Sequence, residues 1–276
     1  MAELLRRLLR TPQGALGLII VGLILFIVII GPLLAPYNPE TLAPLNRYKP
    51  PSAQFWLGTD QYGRDILSRL LIGARATVLL AVLATALGTV LGAIIGATSA
   101  FFGGRVDESV MRTIDAVMAI PSLLFALLIV NLFGKSSLNA LLAIGIAFAP
   151  GMARVTRSVA LNIRNQDYVK AAIARGESNL RIVGREMLPN VIAPIIVEMT
   201  IRIAFAVMLF ATLSFLGVGA QPPASEWGLM VADARQYMHQ APWGLIAPSV
   251  AIALTAIAFN LVGDGLRDAL NPKDER

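Results

Sequence analysis

Cysteine is absent from this 276-residue chain, histidine occurs once, and charged residues make up only 14%. Without thiols there is no disulfide framework, thiolate metal site or cysteine nucleophile. His239 is the single imidazole, so a site built on two histidines is excluded, and no set of metal ligands stands out. A phosphate-cradling G-x-x-x-x-G-K-[ST] loop is missing as well. Gly134-Lys135-Ser136 imitates only its end, with Ile129 where the first glycine belongs. The chain therefore carries no nucleotide site of that kind.

What is present is apolar. Hydrophobic residues reach 56%, mean hydropathy is +0.69, and the charge content compares with roughly 25% in an average soluble domain. A water-soluble core cannot use that much apolar surface, so the bilayer is the solvent this composition fits. The net charge of +6 then reads as membrane orientation rather than as a nucleic-acid footprint.

A hydrocarbon layer about 30 Å thick needs roughly 20 helical residues, because every backbone donor must find its acceptor inside the helix. Six segments are predicted to cross: Ala15 to Leu34, Ala76 to Phe102, Ala116 to Phe133, Ser136 to Ala153, Asn190 to Leu216 and Trp243 to Val262. The first is longer than the apolar region of a signal peptide and lacks an A-x-A site, so it is expected to stay attached. Arg6-Arg7 reads as a cytoplasmic anchor. Six spans put both termini on one side, where fifteen basic residues fall against seven on the other; both termini are therefore expected in the cytoplasm. The chain divides into a cytoplasmic segment over 1–14, a first span with its external loop over 15–75, a five-helix core over 76–265 and a cytoplasmic tail over 266–276.

Within the second span Ala84, Gly88, Gly92, Gly96 and Ala100 recur every four residues, a small-residue ridge on which another helix can pack closely. Glu198 and Arg202 stand four apart in the fifth span, acid before base, where they can meet. Such a pair either serves a function inside the membrane or reaches to the headgroups. Asp115 reads as interfacial. Ser122, Thr212 and Ser214 have no basic partner in the sequence pattern, which argues against an intramembrane nucleophile.

The connection from Arg154 to Pro189 exceeds the 2–8 residues that helix pairs usually need, so it carries structure of its own. Tyr168 to Arg175 is predicted to be a short helix, with Ala172 and Gly176 on one face and Ala171 beside them. Gly176 favours a turn, Ser178 and Asn179 are candidate caps of a second helix, and Leu188-Pro189 is expected to end it. The bare patch has the shape of a docking element.

Lys170-Ala171-Ala172, Gly176 and Leu188-Pro189 resemble the EAA loop of ABC importer permeases, with Lys170 where the pattern has Glu and Glu186 where it has an aliphatic residue. Further stretches resemble the dipeptide, oligopeptide and nickel importer permeases. They are Trp56-Leu57-Gly58-Thr59-Asp60, Gly63-Arg64-Asp65, Ser68-Arg69 and Gly73-Ala74-Arg75, then Ser214-Phe215-Leu216-Gly217, Pro222-Pro223 and Glu226-Trp227-Gly228. The ending Gly263 to Pro272 looks like that of the C-type member of the permease pair.

The resemblance implies an all-α, six-span type I importer permease in a bacterial or archaeal inner membrane. It implies a homologous second permease, two ATPase subunits that bind ATP and Mg, an external substrate-binding protein, and di- or oligopeptides as substrate, with nickel or another small solute as the alternative. An ion-gradient-driven transporter is the rival of a different class, and it would have no use for a docking helix. No cofactor, metal or nucleic acid is expected on this chain. In the outer loops Asp60, Arg64, Asp65 and Arg69 either pair with one another or meet a binding protein, and Glu226 and Trp227 belong to a second candidate lip over the entrance.

Overall fold

The computed structural model describes residues 8–9 and 11–270, and among them the regular structure is helical, without a strand. Arg6-Arg7 and Asn271-Pro272 lie outside the described residues. Five helices are long and apolar enough to cross a membrane: α1 (Pro12–Leu34), α2 (Ile66–Phe102), α5 (Ser137–Arg164), α7 (Asn179–Phe215) and α9 (Pro242–Ala269). A sixth crossing exists if α3 (Gly104–Met118) and α4 (Ser122–Phe133) are taken together. Between α5 and α7 lies the short α6 (Asp167–Ala174), and between α7 and α9 lies α8 (Trp227–Ala234).

The third span departs from expectation. Ala116 to Phe133 is not one helix, because α3 and α4 meet at a bend of 87°. Pro121 is the cause: it lacks the N–H that would continue the ladder, and its ring pushes Ile120 out of helical geometry. The 12 residues of α4 extend only about 18 Å. Meanwhile α3 lies against its neighbours through polar contacts. Asp107 accepts from Ser99 Oγ at 2.5 Å and from Arg157 Nε at 2.6 Å, and Asp115 pairs with Arg154.

The second span begins at Ile66 rather than Ala76, because the Asp65 carboxylate accepts the Ser68 N–H at 2.8 Å and caps the helix there. Helix α7 also starts early. Leu188-Pro189 does not end a helix: the π turn Ile182–Met187 runs straight into the segment Leu188–Phe215, and Pro189, which has no N–H to give, falls where the π pattern changes to α.

The small-residue ridge is matched within the chain. Gly88, Gly92 and Gly96 face α5 so closely that a Cβ on Gly92 would lie 2.4 Å from Met152 Cβ, and one on Gly96 would lie 2.3 Å from the Ala153 carbonyl. Ala84 and Ala100 are fully buried on the same stripe. Close approach of two backbones gives dispersion contact where lipid supplies no hydrophobic drive between helices. Phe148, Phe210, Leu213 and Ile144 fill the adjoining core between α2, α5 and α7.

Candidate functional site

Three regions gather the residues singled out by the sequence. The first is the loop built on α6. Its C-terminus closes as a Schellman motif, with the Glu177 N–H donating to Ala172 O and the Gly176 N–H to Ile173 O. Gly176 has φ +73°, which only glycine adopts without strain, and open space surrounds it. Val169 and Ala172 point inward and are fully buried against Ile182, Val183 and Met187. The flat patch anticipated from Ala171, Ala172 and Gly176 is thus divided, since Ala172 anchors the helix while Ala171, Ala174 and Gly176 face out. Tyr168, Ile173 and Leu180 of this loop are exposed as well, and Leu180 is 86% exposed. Their apolar character was not recognised from the sequence, although a Leu directly after a helix cap carries that signal.

Lys170 is exposed and lies 3.4 Å from Asp167. Glu177 accepts from Arg175 at 2.7 Å, and that guanidinium holds the Glu177 carboxyl below the usual glutamate range. Ser178 precedes the second helix without a side-chain capping bond; Leu188 is half-buried and Pro189 exposed.

The second region is the layer formed by the two loops expected to be outer, where the candidate contact residues turn out to be internal. Asp60 is gripped by two cations, Arg64 Nε at 2.7 Å and Arg69 Nη1 at 2.8 Å, and all three are buried. The Tyr62 and Arg64 N–H groups donate to the same carboxylate. Arg69 also donates to Ala224 O at 3.1 Å, stitching the first outer loop to the second. Asp65 does not pair with Arg69; it caps α2.

Glu226 caps α8 by accepting the Gly228 and Leu229 N–H groups, each at 2.9 Å. Burial raises its carboxyl above the usual range, opposed by those two amides. Burial likewise raises Asp233, against the pull of Arg69 and Arg64. Trp227 donates from Nε1 to Leu70 O at 2.9 Å, and Gly73 lets the Ser225 carbonyl approach to where a Cβ would clash at 1.9 Å. Glu226 and Trp227 are therefore joints of this layer and not an exposed lip. The most exposed apolar groups of these loops are Leu45, Trp56 and Leu42.

The third region lies within the spans. Glu198 and Arg202 meet at 2.8 Å, about 21 Å along α7 from Leu188 to Arg202, which places the pair mid-helix rather than at a terminus. The Arg202 guanidinium stacks 5.6 Å from the Phe148 ring centroid and occupies the gap left by Gly151, where a Cβ would come within 2.6 Å of Nη2. A cleft of about 90 Å³ opens beside it, lined by Ser122, Phe125, Pro150 and Gly151.

Against known proteins, residues 88–275 match the family described as binding-protein-dependent transport system inner membrane component. The chain belongs to this family. Residues 1–51 of this permease match a second family, the N-terminal TM domain of oligopeptide transport permease C. A dipeptide transport system permease protein, DppC, of Escherichia coli K12 is 43% identical, covering 96% of this chain and 90% of its own length. The DppC of Alkalihalophilus pseudofirmus is 40% identical over 98% of this chain and 89% of its own. The probable D,D-dipeptide transport system permease protein DdpC of E. coli K12 is 39% identical, over 99% and 91%. In fold the permease is similar to a chain of the MetNI methionine ABC transporter in an inward-facing conformation, with TM-score 0.58 and 17% identity, over 74% of this chain and 97% of that one.

Proposed function

We propose that this permease forms half of the translocation path of an ATP-driven peptide importer, the other half coming from a homologous permease. Two ATPase subunits, which bind ATP and Mg, dock from the cytoplasm on the outer face of α6, and an external binding protein delivers the substrate. The names of the relatives, three of them for dipeptide transport, support the peptide assignment. The fifteen-to-seven excess of basic residues supports a cytoplasmic membrane location with both termini inside.

One observation carries the coupling role: α6 is fixed from beneath by Val169 and Ala172 while its other face, from Tyr168 to Gly176, is free. A chain without its own phosphate loop receives energy only through a contact, and this is a contact with a rigid foundation. Closure of two ATPase subunits then pulls α6, and the π turn and α7 follow because Met187 and Ile182 pack directly against it. Alternating access is in this way a rigid-body event. ATP contributes only through its preference for the closed ATPase pair, so α6 stays seated in both states.

Gly176→Trp in the complete complex tests this. Uptake of labelled alanyl-alanine by proteoliposomes is expected to fall at least tenfold while the complex still copurifies intact. Undiminished uptake overturns the contact.

A further inference from the structure

The Glu198-Arg202 pair has no part in that coupling, yet its surroundings are built. A charged side chain in the middle of a span faces a water-filled cavity or a partner. Arg202 has a partner in Glu198 and an open cleft beside it, and it also has donors to spare. Glu198 Oε1 engages Nη2, whereas Nε is buried without any acceptor. Guanidinium offers five donors in a fixed fork suited to a carboxylate, so one bond to Glu198 leaves most of that capacity unused.

The cleft next to Arg202 has a second feature that favours an anion. Its wall is the break between α3 and α4: Ile120 and Ser122 line it, and Pro121, which stands at the N-cap of α4, makes no side-chain capping bond. The first amides of α4 lack intrahelical partners and carry the positive end of the helix dipole. The Ser122 hydroxyl adds a donor. Gly151 and Pro150 on α5 keep the opposite wall low, and Phe148 orients the guanidinium from below. A volume of about 90 Å³ admits the end of a peptide rather than the whole of one.

We infer that Arg202, with Ser122 and the start of α4, is a transit site for the C-terminal carboxylate of the translocated peptide, and that Glu198 is the positioning residue that holds the guanidinium toward the cleft. This rests on the peptide-importer reading. The peptide exchanges its hydration for the fork of Arg202 part-way through the membrane, and the internal pair keeps the cation from being left bare before the peptide arrives and after it departs. The 87° break in the third crossing thus supplies a wall of the site.

The test uses the complete complex in nanodiscs without binding protein, and three probes: alanyl-alanine, alanyl-alaninamide and N-acetyl-alanyl-alanine. In the native complex the amide binds about tenfold more weakly than the free dipeptide, the scale of one charge-assisted hydrogen bond, and N-acetylation changes little. Arg202→Gln abolishes the preference for the free carboxylate and leaves the amide's affinity unchanged. Because Arg202→Gln strands Glu198, the paired variant Glu198→Gln with Arg202→Gln removes both charges together and is expected to show the same loss. Arg202→Lys restores part of the preference.

A preference for alanyl-alanine over its amide that survives in Arg202→Gln or in the paired variant overturns the site. So does an equal loss for both probes in the paired variant, which a purely structural role would give. Native complex that takes up no peptide in proteoliposomes refutes the importer reading instead; peptide uptake with an unchanged free-to-amide ratio refutes only the carboxylate site.

Discussion

In the proposed orientation the α6 end of this permease is inner and the opposite end outer, and the two use polar residues in opposite ways. At the outer end Asp60, Arg64, Arg69, Glu226 and Thr77 are buried and bonded to one another or to backbone, so the two outer loops and α8 form one joined layer. At the inner end the charges of the α6 loop are mostly exposed and pair locally, as in Arg175 with Glu177 and Lys170 with Asp167, and the helix is held by two small apolar anchors. A buried network gives one well-defined shape at high cost for any lost member, and this one is satisfied apart from Arg64 Nη2 and Asp65 Oδ1. An exposed docking face with apolar anchors keeps its shape while its outward residues are free to serve a partner. Sequence composition alone does not separate the two, since both regions mix Arg, Asp, Gly and Ala.

The largest expected effect follows from Asp60→Ala. It leaves the guanidiniums of Arg64 and Arg69 buried without their shared carboxylate, and breaking a buried pair in this manner costs about 3–5 kcal/mol. Detergent-resistant folded yield and thermal unfolding of the purified complex are expected to drop accordingly. A variant as stable as the parent would mean that the outer layer is not the rigid body described. Next comes Gly92→Val. Its added carbons meet Met152 Cβ and the Ala149 carbonyl, and overpacking of this kind costs about 1–3 kcal/mol. Thermal unfolding reads this too, and the loss is expected without any change in α6 exposure to protease.

Acid should move the two ends in opposite directions. Glu177 has its carboxyl lowered by Arg175, so the stability it adds is present above the unfolded value of 4.5 and is lost as pH falls through the lower folded value. Glu226 and Asp233 are raised by burial; their contribution is fully present below 4.5 and 3.8 and is lost as pH rises through the higher folded values. Amide exchange, corrected for its intrinsic pH dependence, is expected to show residues 226–234 better protected at pH 4 than at pH 7. Residues 174–181 are expected to show the reverse once pH drops below that of unfolded glutamate. Parallel changes at both ends would remove the contrast.

Much of this was legible beforehand. The uncharged runs of α1 and α2, the period of four in the glycine ridge, and the short helix closed by a turn at Gly176 all follow from local rules that the structure obeys, whereas Leu188-Pro189 continues a helix instead of ending one. Two things were not. Pro121 and Pro150 look alike in an apolar run, yet α5 passes through Pro150 while the third crossing breaks at Pro121. Neighbouring helices decide which proline is accommodated. The outer charges do pair with one another, as one of the two readings had it, but the hub was hidden, because Asp60 and Arg69 are nine residues apart and meet only after Asp65 has started α2 and folded the loop back.

The smallest effect on stability is expected where the functional effect is still clear. Leu180 is 86% exposed and packs on nothing in this chain that its removal would open, so Leu180→Ser should alter thermal unfolding by no more than about 0.5 kcal/mol. It is nonetheless a large apolar group left bare in the same loop as the exposed Ile173 and Tyr168, and exposed apolar patches mark contact surfaces. If the outer face of α6 seats an ATPase, the same substitution lowers substrate-coupled ATP hydrolysis several-fold while Leu45→Ser, an equally bare leucine at the outer end, leaves it unchanged. Equal responses to the two substitutions would show that exposure alone, and not position beside α6, determines the outcome.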